Sequence, residues 1–458
     1  MLYPVATGPV GSQGMSSNEG GFAMTTESAA AAAALQRGID NFLRWRADVV
    51  PNIHAAVEAD PGFGFAHAVF GLMLHGARNV HMAGKIAGAL AAAEAAADGM
   101  SRRERLYLDA LALASRGEIA HSVAVYEAIL ATDPTDLLAQ RLAQMELFWL
   151  GEMRWSAEIS GRVANHWTED VPLYGIYLSC RAFDLEETHH YKEAERLGRQ
   201  AVARDATDVW GTHAVAHVLL MQGRFQEGID WLDGLKDHWA EANQMMFHLW
   251  WHRCLFHLER GEHDEVLAIH DTWVRNRDLP LTQAMPDLYI DMQNGASLLL
   301  RLELRGVDVG GRWDELAALA LNRLEDHTSP FTSAHYAAIL AAAGHFEAAD
   351  QLVQSMRDFA ATDTGTLGPR YAAAGIAAAE AAIAHRKGDH GAVIAALLPV
   401  RRMLWQIGGS DAQRDLFFLL LADSARREGR QDVADLVLID AAAAGFDNPA
   451  GRAGYRAA

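Results

Sequence analysis

A turn glycine followed by an apolar-periodic run recurs along most of the chain, and this repeat constrains the fold more than any other feature. The phrase reads approximately Gly-x-x-x-x-(Glu/Ala)-(Ala/Gly), and one copy has Thr188 in the glycine's place. Successive copies are 34, 37, 35, 38, 50, 33, 44 and 41 residues apart. A unit of this length cannot bury a core alone and must stack on its neighbours. The turn glycines are Gly117, Gly151, Gly223, Gly261, Gly311, Gly344, Gly388 and Gly429.

Each turn glycine is predicted to end the first helix of a unit, because glycine adopts the left-handed conformation at little cost. No alternating β-branched run with hairpin signals separates the copies. The spacing centres on the ~34-residue period of the tetratricopeptide helix–turn–helix unit. The sequence therefore predicts an all-α, tetratricopeptide-like solenoid, a superhelix of stacked helical hairpins with a concave groove.

Both ends of the chain are predicted to lie outside the repeat array. Residues 1–27 hold five glycines among small polar neighbours and too little apolar surface to fix a structure, so they are interpreted as a disordered tail. Proline is scarce and no linker interrupts the middle, so residues 28–446 are expected to form one solenoid. Residues 447–458 are interpreted as a C-terminal tail.

Composition excludes several classes of partner. The chain carries 39 Lys+Arg against 59 Asp+Glu, a net charge of −20, and has no basic stripe, so nucleic acid is not expected to bind. No segment approaches the ~18 apolar residues of a membrane span, and no basic residue precedes Arg37 as a secretory signal requires. Cys180 and Cys254 are too few for a disulfide framework and favour a reducing compartment. We expect a cytoplasmic protein without membrane contact. The sequence leaves open whether the chain forms a homo-oligomer.

Two His-x-x-x-His pairs lie in neighbouring units. In tetratricopeptide superhelices the first helix of each unit lines the concave side, so the distance to the turn glycine predicts which side chains face inward. His213 and His217 lie ten and six residues before Gly223. His248 and His252 lie thirteen and nine residues before Gly261. Both pairs are therefore expected on roughly the same side of adjacent first helices, within one cavity.

Paired imidazoles at i and i+4 can share a metal ion, so these four histidines are candidate ligands for a divalent metal. His217 and His252 are also candidate catalytic residues, as general acid and base. Neither pair contains the glutamate of a His-Glu-x-x-His site, which excludes that class of metalloprotease. Random placement of 21 histidines in 458 residues would give about one such pair, so inert core histidines are the competing interpretation.

Tryptophan is concentrated in the same region: ten of the twelve lie between Trp149 and Trp313. Large aromatic rings beside ionisable ones are typical of a pocket wall. Trp251 takes a lining position by register, whereas the other tryptophans are more simply read as core packing. His335 has the register of His252 and could reach the groove, although a satisfied helical histidine is the simpler interpretation. Glu186 and Glu187 could supply carboxylates at the rim.

A second constellation lies in residues 407–418. Ser410 and Gln413 form a capping-box pattern after two glycines, which predicts a helix start with free N–H groups. Together with Arg414 this helix end could bind a carboxylate or phosphate, so Gln413 and Arg414 are candidate ligand-binding residues. The structural alternative is a capped helix with an ion pair between Arg414 and an aspartate.

Five phrases together resemble the motifs of the tetratricopeptide repeat protein 38 family. They are VPLYGIYLSCRAFDLEE, WGTHAVAHVLLMQGRFQEGIDWL, FHLWWHRCLFHLERGEHDEVLAIHD, VDVGGRWDELA and IGGSDAQRD, in chain order. The resemblance implies a degenerate tetratricopeptide solenoid of a kind found in bacteria and animals. It implies no settled biochemical function, and no catalytic residue is transferred. The motifs contain the candidates named above: His213, His217, His248, Trp251, His252, Gln413 and Arg414.

The sequence favours a solenoid that binds a small molecule or a short acidic ligand in a concave pocket lined by histidine and tryptophan, so the expected partner is a small molecule or a short peptide. One alternative is an enzyme that uses the paired histidines as metal ligands or as general acid and base. A protein–protein scaffold is the other. A peptide-binding groove is usually lined with Lys, Arg and Asn, so histidine and tryptophan on an acidic chain favour a closed pocket for a small molecule.

Overall fold

The computed structural model describes residues 24–456, and over that range the chain is built from helices. No strand forms among these residues; Arg46 and Ala242 make an isolated antiparallel bridge. None of the described helices combines enough length with enough apolar residues to cross a bilayer. The predicted all-α solenoid is confirmed.

Successive helices pack as hairpins along the chain. The first hairpin pairs α1 with α2, and the pairing continues in the same way through α11 and α12. The helices of this half are α1 (Ala29–Leu43), α2 (Val49–Ala59), α3 (Gly64–Gly76), α4 (Ala83–Ala95), α5 (Arg102–Ser115), α6 (Ile119–Thr132), α7 (Leu137–Leu150), α8 (Met153–Arg162), α9 (Tyr174–Glu186), α10 (Tyr191–Arg204), α11 (Val209–Met221) and α12 (Phe225–Leu235).

The second half continues the array, with short helices inserted before two of the hairpins. The short helix α15 precedes the α16–α17 hairpin, and the short helix α20 precedes the α21–α22 hairpin. The helices are α13 (Met245–Glu259), α14 (His263–Ile269), α15 (Pro280–Ala284), α16 (Tyr289–Glu303), α17 (Arg312–Ala320), α18 (Pro330–Ala342), α19 (Phe346–Thr362), α20 (Gly368–Arg370), α21 (Ile376–Lys387), α22 (His390–Val400), α23 (Asp411–Arg427) and α24 (Gln431–Ala443).

Seven of the eight predicted turn glycines adopt the left-handed conformation, with φ between 67° and 84°. The prediction for Gly311 is wrong, since its φ is −79° and it lies at the N-cap of α17. Helix α16 ends earlier, at Glu303, and Gly306 and Gly310 take the positive φ values instead. In the unit without a glycine, His189 rather than Thr188 has a positive φ, of 64°.

Two further hairpins, α1–α2 and α3–α4, precede the first turn glycine. Trp45 and Arg78 hold positive φ values of 57° and 45° just after α1 and α3, where later units have glycine. A side chain in this conformation is uncommon and leaves no signal in a search for turn glycines. The array is therefore longer at its N-terminal end than the glycine pattern indicates.

The first helices of the central units are buried on every side. All residues of α11 and of α18 are buried, which means that the concave side of the superhelix is filled. The array curves tightly enough for distant hairpins to touch. The backbone N–H of Asn243 donates to the Trp45 carbonyl at 2.7 Å, and that of Thr366 donates to the Gly117 carbonyl at 2.9 Å. The groove of an open solenoid is thereby replaced by a closed interior.

Parts of both predicted tails pack against the solenoid. Residues 1–23 and 457–458 lie outside the described residues. Met24 is buried, and the Thr25 backbone N–H donates to Glu104 Oε1 at 2.8 Å. At the other end, Arg452 Nη2 lies 3.0 Å from both Glu259 and Asp415. Buried polar contacts therefore extend the packed structure into residues 24–27 and 447–456.

Candidate functional site

Four histidine side chains from α11 and α13 meet in the interior. The ring centroids of His213 and His217 are 4.4 Å apart, and those of His217 and His252 are also 4.4 Å apart. The His248 ring centroid lies 4.8 Å from that of His252. One ring nitrogen from each of the four lies within 4.8 Å of the other three, and all four residues are buried. The prediction that these rings gather in one place is confirmed, and we call them the histidine cluster.

Local packing sets the register of the two helices. The Asp208 carboxylate caps α11 by accepting from the backbone N–H groups of Trp210 and Gly211, at 3.0 and 2.9 Å. Gly228 of α12 lies directly against the Phe256 ring of α13, where a Cβ would come within 2.3 Å of the ring. This close approach draws α13 onto the α11–α12 hairpin, so the two His-x-x-x-His pairs face one another.

Aromatic rings surround the histidine cluster. Phe183 stacks on His213, with centroids 5.2 Å apart. Trp251 stacks on His248 with centroids 4.9 Å apart and an interplanar angle of 11°. Trp251 is buried behind His248, and its indole nitrogen has no hydrogen-bond partner among the described residues. Aromatic side chains thus form part of the surroundings of the cluster.

The ring nitrogens have few partners in the part of the chain that the structure describes. His213 Nε2 and His217 Nε2 lie 2.9 Å apart, and His248 Nδ1 lies 2.9 Å from Asn294 Oδ1. His213 Nδ1 and both nitrogens of His252 are buried without a hydrogen bond. His217 Nδ1 faces Glu186 Oε2 at 3.3 Å. Unpaired buried nitrogens are unusual and call for a physical explanation.

Burial keeps the four imidazoles uncharged at neutral pH. Loss of hydration lowers the pKa of His217 to about 4 and that of His248 to about 3. Burial, reinforced by the neighbouring imidazoles, lowers the pKa of His213 and of His252 well below its usual range. Each ring therefore has one nitrogen with a free lone pair, the form that accepts a hydrogen bond or coordinates a metal.

Two carboxyl groups from α9 and the turn after it lie behind His217. Burial, followed by the charge of Asp411, raises the pKa of Glu186 to about 8. Burial and the neighbouring Glu186 raise the pKa of Glu187 well above its usual range. Glu187 Oε1 is 3.6 Å from His217 Nδ1, and its Oε2 is 3.9 Å from Arg414 Nη2. The carboxyls expected at a groove rim are therefore part of the interior.

The 407–418 segment forms the capped helix that was the structural alternative. The Ser410 hydroxyl accepts from the Gln413 backbone N–H at 3.2 Å, and Gln413 Oε1 accepts from the Ser410 N–H at 3.0 Å. Arg414 donates to the Gly409 carbonyl and lies 2.5 Å from Asp411 Oδ1. Its donors are therefore directed at its own turn, and the carboxyls around it disfavour an anionic ligand.

An apolar pocket of about 250 Å³ opens beside the histidine cluster. Trp45 and Trp210 stack in its wall with centroids 4.9 Å apart. His213, His248 and Gln413 line it, and we call these three residues its polar side. The other lining residues are Phe42, Trp45, Arg46, Ala47, Val49, Val50, Leu72, Met73, Gly76, Ala77, Arg78, Leu142, Met145, Glu146, Phe148, Trp149, Trp210, Asn243, Gln244, Met245, Met285, Leu288, Tyr289 and Ile290.

The candidates from the sequence thus fall into two groups. His213, His248 and Gln413 line the pocket, while His217, Trp251, His252 and Arg414 are not among its lining residues. His335 does not join the cluster; its Nδ1 donates to the Phe331 carbonyl at 2.8 Å, as expected of a satisfied helical histidine.

Sequence reasoning missed the pocket residues from the first two hairpins and the hydrogen-bond partner of His248. Trp45 and Met73 come from hairpins without a turn glycine, and Asn294 comes from α16, three helices after α13. The signal available for Trp45 was its isolation: no other tryptophan precedes Trp149. Nothing local distinguishes Asn294 from a solvent-facing polar residue.

No protein-family model matches the chain. Among solved structures, the chain is similar to one in the structure titled "Structure of Naa15/Naa10 bound to HypK-THB", with 12% sequence identity and a TM-score of 0.24. The alignment covers 90% of this chain and 63% of that chain, so this chain spans less than two thirds of its length. Similarity at this level extends to neither function nor partners.

Proposed function

We propose that the protein binds an uncharged small molecule with an apolar body in the pocket, its polar end facing His213, His248 and Gln413. The observation that carries this proposal is the composition of the pocket, which is walled by aromatic and methionine side chains and has two neutral imidazoles on one side. A mostly apolar concavity with a few convergent polar groups is the usual form of a small-molecule site.

The charges around the pocket favour an uncharged ligand. Arg78 Nη2 is 2.7 Å from Glu146 Oε2, and both residues are buried. Arg46 is paired with Glu241. The two arginines that line the pocket are therefore already neutralised, and the imidazoles beside them carry no charge. A ligand carboxylate or phosphate would lose its hydration without gaining a free cation, so the short acidic ligand is the weaker candidate.

The shape of the interior favours a small molecule over a peptide. The first helices of the central units are buried, and Asn243 joins the turn at Trp45 across the concave side. An extended peptide needs an open groove along several units, whereas this pocket is a single compact cavity of about 250 Å³. A compact ligand fits that space without separating hairpins.

An enzyme is the second candidate, favoured by the position of the histidines. His213 and His248 meet the pocket directly, and His217 and His252 contact them from behind. Imidazoles that contact a bound molecule can exchange protons with it. In this arrangement His213 and His248 would touch the substrate, and the two candidate catalytic residues, His217 and His252, would act through them.

Membership in the tetratricopeptide repeat protein 38 family and a cytoplasmic location are part of the same proposal. The most specific motif words, HAVAH, HLWWH and GGS-x-AQRD, come from α11, α13 and the start of α23, and all three contribute a residue to the polar side. Both cysteines are buried free thiols, which suits a reducing compartment.

Fluorescence titration with Prodan, an uncharged naphthalene dye with one carbonyl, tests the pocket. Saturable binding with a blue-shifted emission is expected for the wild type. Met73→Trp, which fills the pocket, is expected to abolish it, while Ile439→Trp on the exposed surface retains it. Equal binding by both variants would refute the proposal.

A further inference from the structure

We infer that the four imidazoles of the histidine cluster hold a divalent transition-metal ion. His213 and His248 belong to both sites, but the inference does not rest on the pocket proposal, because it is argued from ring nitrogens that face one another rather than from the aromatic wall. Imidazole is a preferred ligand of zinc, copper, iron and nickel ions, and helices commonly present it in His-x-x-x-His pairs.

The distances suit a single ion. A tetrahedral ion with bonds of about 2.0–2.1 Å holds its nitrogens about 3.3 Å apart. In the cluster, His213 Nε2 and His217 Nε2 are 2.9 Å apart, and the most distant of the four nitrogens are within 4.8 Å. The required spacing lies between these values. Small rotations of the rings about their side-chain bonds would bring all four nitrogens to one centre.

Unpaired nitrogens supply the independent reason for an ion. His252 is fully buried, and neither of its ring nitrogens has a hydrogen-bond partner in the described part of the chain. A core built only for packing would use an apolar ring here, since each unpaired nitrogen lowers stability. Coordination would use the ring-nitrogen lone pair of His252 that the protein leaves unsatisfied.

Two of the rings already have outer partners of the kind that metal ligands use. His248 Nδ1 meets Asn294 Oδ1 at 2.9 Å, and His217 Nδ1 faces Glu186 Oε2 at 3.3 Å. A metal-binding histidine commonly directs its other ring nitrogen to a carbonyl or carboxyl oxygen, which fixes the tautomer and the ring orientation. The contact of His217 leaves its Nε2 turned toward the cluster, 2.9 Å from His213 Nε2.

Carboxyl groups rather than cations lie next to the cluster. Glu186 and Glu187 lie on the far side of His217, and Arg414 is near Glu187 rather than near the rings. Oxygen atoms that can accept a hydrogen bond therefore lie beside the outer nitrogen of His217, as in the outer shell of a metal site. A second cluster with ligand spacing, around Asp423, differs because Arg427 Nε lies 2.8 Å from Asp423 Oδ2 and already pairs with that carboxylate.

The test measures uptake of Co²⁺ and Zn²⁺ by the full-length chain. Elemental analysis after dialysis is expected to give about one ion per chain, and Co²⁺ is expected to give the intense visible bands of tetrahedral nitrogen coordination. His252→Gln should abolish both signals. Asn294→Ala should weaken affinity by ~10–100-fold through its effect on His248.

His335→Gln is the matched control, because His335 is equally buried, lies nine residues before its own turn glycine and stands outside the cluster. It should bind the ion as the wild type does. A wild-type chain that takes up no stoichiometric ion, or a His252→Gln variant that retains it, would overturn the inference. Prodan binding by the same samples separates loss of the metal site from failure of the pocket proposal.

Discussion

The Nε2 atoms of His213 and His217 lie 2.9 Å apart, one helical turn apart on α11, and both side chains are buried. Two neutral imidazoles at this distance share one proton, so one ring donates and the other accepts. The pair therefore cannot have identical tautomers while no ion lies between them. This constraint leads to the first prediction.

In protein stripped of metal, one Nε2 atom of the His213–His217 pair is expected to carry a proton and the other to be bare. Long-range ¹⁵N correlation spectra of histidine-labelled protein at neutral pH report this difference directly. Addition of Zn²⁺ should remove the Nε2 proton and leave His335 unchanged, because His335 Nδ1 donates to a backbone carbonyl. Doubly protonated rings at neutral pH would contradict the buried, uncharged cluster.

Trp45→Leu is expected to weaken Prodan binding by ~10-fold, because the substitution removes the ring that stacks on Trp210 in the pocket wall. The dissociation constant is measured by fluorescence titration. Trp405→Leu is the control, since Trp405 is exposed and is not among the pocket-lining residues. Equal weakening by both substitutions would mean that the dye binds elsewhere.

Asp291→Asn is expected to stabilise the protein increasingly as the pH rises from about 4 to about 8. Asp291 is buried with both oxygens unpaired among the described residues, and burial raises its pKa from 3.8 to about 8. Between these values the folded state binds more protons than the unfolded state. The stability of the wild type therefore falls with rising pH, whereas asparagine does not titrate.

Urea unfolding of the wild type and Asp291→Asn at several pH values measures this effect. The difference in unfolding free energy should be smallest near pH 4 and level off above pH 8, at a gain on the order of a few kcal/mol. A difference that does not change with pH would show that Asp291 ionises normally in the folded protein.

Gly408→Ala is expected to destabilise the fold by at least about 3 kcal/mol. Gly408 has φ 85° and ψ −171°, and an added Cβ would lie 2.2 Å from the Trp149 carbonyl oxygen. This contact joins the segment before α23 to the end of α7. Thermal unfolding compares this variant with Gly429→Ala. Gly429 also has a positive φ, but a Cβ added there would meet no packing atom of the described residues within 4 Å. The control should cost about 1 kcal/mol, and equal effects would argue against the close approach.

Arg452→Met is expected to destabilise the protein by about 3–5 kcal/mol, because it removes the cation that lies 3.0 Å from two buried carboxylates, Asp415 and Glu259. Arg305, 3.7 Å from Glu259, would be the remaining cation near that carboxylate. Chemical unfolding measures the loss. Arg430→Met removes an exposed pair with Asp432 and should have little effect. If the two variants behaved alike, residues 447–456 would contribute nothing to the folded array.

The sequence predicted the histidine cluster because its evidence is local. A left-handed glycine ends the first helix of each of the two units concerned, and counting back from Gly223 and Gly261 places the rings on one face. The same reasoning failed at Gly311, because α16 ends at Glu303 and the connection to α17 has its positive φ values at Gly306 and Gly310. A turn signal is reliable only where the helix before it runs up to the glycine.

The pocket could not be predicted in the same way, because its wall depends on the curvature of the whole array. The contact between Trp45 and Trp210 depends on small rotations between successive hairpins, which accumulate along the array. No spacing in the sequence encodes the total rotation. The buried partners Asn294 and Arg78 were missed for the same reason, since each meets its contact across a wide gap in the chain.

The hydrogen bonds from Asn243 to Trp45 and from Thr366 to Gly117 change the mechanics of the molecule. An open solenoid extends under load like a spring, and its units can fray one at a time from either end. Here hydrogen bonds join distant hairpins of the superhelix, so extension requires these bonds to break first. The chain should resist pulling up to a threshold and then give way in large steps.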